Sequence, residues 1–269
     1  MNTSAISSST RTRRAGSAVI ASVFLLDEHQ VVRPDEIGTP KAIRDHAARK
    51  GYLVHHIALE GQFRCGGSAE YDEWVLQLIG LRHGKPTQWS GDDFDVRIAR
   101  SPQQMEDFLR AQADAGAAAR IAAGYCWPWT HEPRKDGTLE PDVVIGDWRK
   151  PWNKFKDTIT GEAPPGWLWA TDPRGFEQVG CIYTAQGFEY DWAGVILGPD
   201  IAVENGRLAV RRDATEDSPL RNKKLFDDDV EILIRNTYKV LLTRGLRGVV
   251  IYAVDPTTQE LLTGLAPSL

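Results

Sequence analysis

Cysteine is scarce in this 269-residue chain: Cys65, Cys126 and Cys181 are an odd number separated by long intervals. That excludes a disulfide framework and a CxxC metal motif, and it suits a reducing, cytoplasmic setting. Long hydrophobic runs are missing as well. The longest apolar stretches, such as 19–26 and 249–254, fall well short of the roughly 18 residues that a membrane helix needs, so the sequence predicts a soluble protein with no membrane contact. An excess of positive charge is also absent. With 32 Lys and Arg against 37 Asp and Glu, the surface carries no broad basic field, and any contact with nucleic acid has to be local. There is no internal repeat and no spacing of His, Cys, Asp and Glu that names a metal site.

What is there is ample for one large or two modest cores, at 42% hydrophobic and 26% charged residues. The first 17 residues, MNTSAISSSTRTRRAGS, are rich in Ser and Arg without an acid. They show no amphipathic apolar face, so a disordered or truncated end is expected rather than a transit peptide. From Ala18 to Leu26 a short apolar run rich in β-branched residues predicts a buried strand. A helix over Thr39–Lys50, closed by Gly51, and a strand over Leu53–Leu59 complete a βαβ pattern. Helices at Ala69–Leu81 and Pro102–Ala115 then alternate with strands at Asp95–Ala99 and Ala119–Ala123. This rhythm predicts an α/β fold, a parallel sheet with helices on both faces. Residues 126–173 interrupt it with seven Pro and six Trp, which reads as an insertion. Its rings either pack a loop-rich subdomain or offer faces on which bases stack. Strands at Gly180–Thr184, Gly194–Leu197 and Gly248–Ala253 and a helix at Asp228–Leu242 resume the pattern, with a charged loop before that helix.

Four stretches carry chemistry. The first is FLLDEHQVVRP, Phe24–Pro34. An apolar strand ending in Asp27-Glu28 suits a metal-holding Asp beside a water-polarising Glu, whereas Asp27 to Gln30 equally suits an amide that senses a γ-phosphate. The second is Gln62-Phe63-Arg64, where a guanidinium at a strand end presents fixed donors to phosphoryl oxygens. The third, CIYTAQGFEYDWAGVILGPD, gathers Thr184, Gln186, Gly187 and Glu189 in a turn at a strand's carboxyl end, where α/β sheets place ligands. The fourth, NTYKVLLTRGLRGVVIYAVD, delivers Arg244 to the end of an amphipathic helix. Any one of these has a bland explanation, such as dipole complementation for Arg244.

In order, DEHQ, QFRCGGS, YTAQGFEYD and YKVLLTRG resemble motifs III, IV, V and VI of superfamily 1 helicases, and the wording is similar to the Schlafen group 3-like DNA/RNA helicase domain family over about Ala18–Asp255. The resemblance implies a RecA-like sheet of the P-loop NTPase type. It assigns Asp27 to motif III rather than to a Walker B strand. It implies that Gln30, Arg64 and Arg244 are catalytic residues addressing the γ-phosphate of ATP. It implies that Gly187 and Glu189 join them in nucleotide binding, and that Thr184 and Gln186 contact the nucleic-acid strand. Residues 18–60 would then be a remnant of the first RecA-like domain and 61–269 the second, with the insertion inside it.

One departure qualifies this. The family's phosphate-binding loop, G-x-x-x-x-G-K-[ST], does not occur; the nearest string, GLRHGKPT at 80–87, has the wrong spacing and a proline after the lysine. The expectation is therefore the C-terminal part of an ATP-dependent DNA or RNA motor. In the intact architecture ATP and Mg²⁺ are the cofactors, but neither is held tightly by this chain alone. The motor would be inactive until a missing RecA-like domain or partner chain supplies the loop. The alternative is a degenerate, non-catalytic module that binds nucleic acid or protein.

Overall fold

The computed structural model describes residues 22–24, 26–36, 40–57, 65–155 and 160–269. The start expected to be disordered and the Gln62-Phe63-Arg64 stretch lie outside the described residues. The first element is a 3-10 turn, Glu28–Gln30, capped by Asp27. α1 (Pro40–Lys50) begins on a proline, whose missing N–H costs nothing at a helix start, and closes at Gly51 with φ +71°.

The strands expected on either side of α1 do not form in their described parts. Residues 22–24, 26 and 52–57 have no regular structure, and Leu53 and Ile57 are 91% and 79% exposed. An apolar, β-branched run becomes a strand only where a neighbour takes up its backbone N–H and C=O groups, and among the described residues no strand pairs with these.

α2 (Ala69–Leu78) is capped by Ser68, whose Oγ accepts from the Tyr71 N–H at 3.1 Å. It stops a turn earlier than its apolar pattern suggests, because Gly80 takes a left-handed φ of +74°. β1 (Asp95–Ile98), α3 (Pro102–Asp114) and β2 (Ala119–Ala123) follow much as the periodicity predicts. The insertion contains a small antiparallel hairpin, β3 (Val143–Ile145) and β4 (Trp148–Lys150). Beyond it come β5 (Val179–Cys181), a single helical turn α4 (Ile182–Ala185), β6 (Tyr190–Leu197), β7 (Ile201–Glu204), β8 (Arg207–Val210), α5 (Asp227–Leu242), β9 (Gly245–Ala253) and α6 (Pro256–Leu265). The charged loop expected near 200–227 thus contains a hairpin. Its turn, Asn205-Gly206, has φ of +53° and +74°, the left-handed pair that a two-residue hairpin requires.

Five strands form one sheet in the order β1-β9-β6-β2-β5, every pair parallel. With helices around it, this is the expected RecA-like α/β architecture. Val195, Ile196 and Leu197 of β6 and Val249, Val250 and Ile251 of β9 are fully buried, as central parallel strands must be. Gly194 leaves room for Leu109 and Met105 of α3, and Gly180 accepts the Trp169 ring against its bare Cα.

The insertion is fastened to the sheet by two clasps. Arg120 of β2, buried, donates through Nε to the Trp169 carbonyl and through Nη2 to the Asp172 carbonyl, each at 2.7 Å. Glu106 of α3 accepts from Trp148 Nε1 at 2.8 Å and from Arg110 at 2.8 Å, and lies 2.9 Å from Lys150 Nζ. Burial works against ionising Glu106, but these three donors together hold its carboxyl below the ordinary value. Trp148, Trp152 and Trp169 are accordingly core residues, whereas Trp167 is exposed.

Candidate functional site

The candidate residues are organised by one stripe of α5 and the residues just beyond its end. Asn236, Lys239, Val240, Thr243 and Arg244 recur at intervals of three and four, so they stand above one another along one side of the helix. At the top of the stripe, Asn236 Nδ2 donates to the Val31 carbonyl at 2.8 Å. One turn on, the Lys239 ammonium, only 6% exposed, lies 4.0 Å from Asp27 Oδ2 and 3.6 Å from Asp72 Oδ1 of α2. A buried ammonium has to be matched by negative charge, so Lys239 draws the Asp27 segment and α2 onto the same helix. Asp27 also accepts from the Gln30 side-chain amide at 2.9 Å and from the His29 N–H at 3.1 Å. Gln30 is therefore a half-buried residue tied to its own cap.

At the other end of the stripe stands Arg244. It is 3% exposed, donating through Nε to the Val240 carbonyl at 3.1 Å and through Nη1 to the Gln186 carbonyl at 2.9 Å. Its own carbonyl accepts from the Tyr190 N–H at 3.1 Å. The guanidinium thus caps the C-terminal end of α4 at the Gln186 carbonyl, while the Ile182, Thr184 and Ala185 carbonyls are taken by the N–H groups of Gln186, Gly187 and Phe188.

α4 corrects the sequence reading in one detail and shows how the turn is made. Thr184 is on a helical turn, not at the end of a strand, because β5 stops at Cys181. Gly187 has no left-handed φ, and a Cβ there would meet only the Thr184 carbonyl at an ordinary 3.7 Å, so the turn does not depend on glycine. The chain reverses instead by ending a helix, with the Gln186 N–H on the Ile182 carbonyl at 2.9 Å. Gly187 and Glu189 are exposed at this mouth, while Thr184 and Gln186 are half-buried.

Two partners of this turn were not legible beforehand. Asn153, fully buried in the insertion, donates through Nδ2 to Thr184 Oγ1 at 2.9 Å and accepts the Cys181 N–H on Oδ1 at 2.8 Å. It bridges β5 to α4, and nothing local in Trp152-Asn153-Lys154 announces that role. The second partner is Asp217, which accepts from the Tyr183 hydroxyl. The Arg33 guanidinium lies over the Tyr183 ring, 4.0 Å from its centroid. Burial, and then the neighbouring carboxylate, pushes the Tyr183 hydroxyl well above its ordinary value, and burial also raises the Asp217 carboxyl. Asp27–Arg33, α4 and the end of α5 are thereby linked into one assembly. The Arg64 that sequence reasoning adds to it lies outside the described residues.

A second buried group sits off the carboxyl ends of β2 and β6. The Tyr238 hydroxyl of α5 donates to Asp200 and accepts the Gly198 N–H at 2.8 Å. Burial pushes the Asp200 carboxyl up to about 6. Cys126 beside it is also raised, mainly by burial and then by the Asp200 charge.

A nucleotide fits these residues in part. Arg244 brings a cation to the α4 mouth, but two of its nitrogens are committed to main-chain carbonyls. Among the described residues no three His, Cys, Asp or Glu side chains are grouped to hold a metal ion. Nor, among them, is any helix long and apolar enough to cross a membrane.

The uncharacterized protein YPL245W of Saccharomyces cerevisiae is 31% identical over 229 residues, 78% of this chain and 48% of that protein. The chain therefore spans about half the length of the curated relative it matches. No solved structure matches. The model of the family described as Schlafen group 3, DNA/RNA helicase domain matches residues 7–255. The chain belongs to the Schlafen group 3 DNA/RNA helicase domain family.

Proposed function

We propose that this chain is the C-terminal part of an ATP-dependent DNA or RNA motor, the part that senses nucleotide and grips the strand. Residues 61–269 form the second RecA-like domain, and 18–60 are the end of the first, carrying Gln30. One observation carries the reading: Asp27–Arg33, the Thr184–Glu189 mouth and Arg244 are assembled on one stripe of α5. In this reading Thr184 and Gln186 face the strand. Arg244, with Arg64, supplies positive charge toward the transferring phosphoryl group, and Gln30 reports its departure to the α4 turn through the shared helix. ATP and Mg²⁺ belong to the assembled motor, where the metal neutralises phosphate charge. No P-loop occurs in these 269 residues, so we expect no turnover without a domain that supplies one. The work takes place in the cytoplasm.

The burial of Arg244 favours one rival, the strand-binding form of a degenerate module that binds nucleic acid or protein without turnover. Both readings demand strand binding, which fluorescence anisotropy measures with labelled single-stranded DNA and RNA of about 12 nucleotides. We expect salt-sensitive binding in the micromolar range, weakened several-fold by Thr184→Val. No binding at low salt overturns both readings. Strand affinity that responds to a non-hydrolysable ATP analogue once a P-loop domain is added selects the motor over the module.

A further inference from the structure

The insertion leaves one group of rings that core packing does not absorb. Phe155 is 63% exposed and His131 is exposed too, yet their ring centroids are only 4.4 Å apart. Trp129, half-buried, stands 5.6 Å from His131 and 5.7 Å from Phe155, and it leans on the buried Trp152 at 5.8 Å. Behind them Trp152 Nε1 donates to the Pro128 carbonyl at 2.9 Å, so the supporting ring is fixed in orientation. An exposed aromatic ledge backed by a rigid indole is costly to keep in water unless something flat covers it.

Its place says what covers it. Asn153, next in sequence to Trp152, holds Thr184 Oγ1, so the ledge and the α4 mouth share one fastening. Tyr125, whose ring is 5.7 Å from Trp129, lies two residues past the end of β2, and its carbonyl accepts the Glu216 N–H at 2.8 Å beside the Asp217 that holds Tyr183. The ledge therefore lies off the carboxyl ends of the parallel strands, on the side where the mouth opens. Its rim carries Glu140 and Asp142 together with Lys154, and Asp142 accepts from the Thr130 N–H at 2.6 Å and from the Thr130 hydroxyl at 3.0 Å. Carboxylates repel a phosphate but accept from the amino edge of a base.

We propose that Trp129, His131 and Phe155 form a stacking platform for an unpaired nucleobase of the strand that passes the Thr184–Glu189 mouth. The inference rests on the strand-gripping reading above and adds its base-side contact. A ring face accepts any base, so the platform favours single strands over duplexes without choosing a sequence.

The test measures anisotropy of a labelled oligothymidylate, its duplex form and a proline-rich peptide against the full chain, together with Trp emission. Phe155→Leu keeps apolar bulk and removes the π-face; at 63% exposure it leaves the fold intact, which a thermal melt verifies. We expect binding to the single strand with quenched Trp emission, weakened about 5- to 150-fold by Phe155→Leu, restored by Phe155→Trp and untouched by Trp167→Ala. Unchanged affinity in Phe155→Leu beside weakened affinity in Thr184→Val overturns the platform and leaves the strand-gripping reading standing. Absence of single-strand binding by the unaltered chain overturns both. Preference for the proline-rich peptide overturns the platform in favour of a protein-docking groove.

Discussion

Asp200→Asn should change the pH dependence of stability in a direction and amount that the burial of Asp200 dictates. The Asp200 carboxyl is 2% exposed, and burial raises it from 3.8 to about 6. Its folded-state value thus lies above its unfolded one. Between those values the folded chain holds more protons than the unfolded chain, so the stability Asp200 contributes is present below about pH 4 and lost as pH rises through 6. A shift of roughly two units corresponds to about 3 kcal/mol. Asn cannot ionise, and its carbonyl still accepts from the Tyr238 hydroxyl. The stability of Asp200→Asn relative to the unaltered chain should therefore grow by about 3 kcal/mol between pH 4 and pH 7, or about 6–12 °C in Tm. The groups facing Asp200, Tyr238 and Cys126, are both raised, so neither gains charge in this window. Glu106, Glu177 and Asp255 are held low and act oppositely, but equally in both chains, so they cancel in the difference. Urea unfolding of the two proteins at several pH values measures it. A difference that stays constant across the range refutes the reasoning.

Lys239→Met should release residues 27–33 from α5 by leaving Asp27 and Asp72 without their shared cation, at a cost of about 1–3 kcal/mol because both carboxylates are partly exposed; hydrogen exchange of that segment should quicken, and unchanged protection would contradict the ion pairing. Asn153→Ala removes the bridge from β5 to α4, leaving the buried Cys181 N–H unpaired, and should cost about 1–3 kcal/mol in chemical unfolding. Gly180→Ala places a methyl group inside the space of the Trp169 ring and should cost about 1–3 kcal/mol. That loss should be partly recovered when Trp169→Phe is added, so a double-mutant cycle with no coupling would show that the ring does not crowd the glycine.

The sequence made the fold readable wherever one segment decides its own state. Buried parallel strands announce themselves as apolar runs in β9 and in the second half of β6, β1 shows instead as the alternation of Val96 and Ile98 with charged residues, β2 lies where expected although it carries Arg120, and α3 and α5 carry clear helical periodicity. The failures lie where the outcome depends on distant partners. Val23, Leu53 and Ile57 have strand composition, but composition cannot supply the neighbouring strand that would pair with them. The hairpin β7–β8 was signalled by Asn205-Gly206 and obscured by the charges around it, and α6 by Asp255-Pro256, a capping residue before a proline. At the site, the residue types of the four motifs were legible and their mutual support was not. Asn153 and Asp217 reach Thr184 and Tyr183 across 31 and 34 positions, and no local pattern encodes such a contact. Arg244 was legible as a cation at a helix end, while its burial against the Gln186 carbonyl belongs to the packing of α4 on α5.

The central claim is that the stripe on α5 is the sensing half of a motor, and ATP hydrolysis with a P-loop domain supplied tests it most directly. The chain is mixed with a P-loop domain from a Schlafen group 3 helicase, and phosphate release is followed with and without single-stranded nucleic acid. The account predicts no release by the chain alone, strand-stimulated release by the mixture, and a fall of at least about 10³-fold with Arg244→Lys, measured well below the Tm of that variant, which is lowered by loss of the bonds to the Val240 and Gln186 carbonyls. Release that is equally fast with Arg244→Lys, or a mixture that stays inert while both parts are folded and bound to each other, would contradict it.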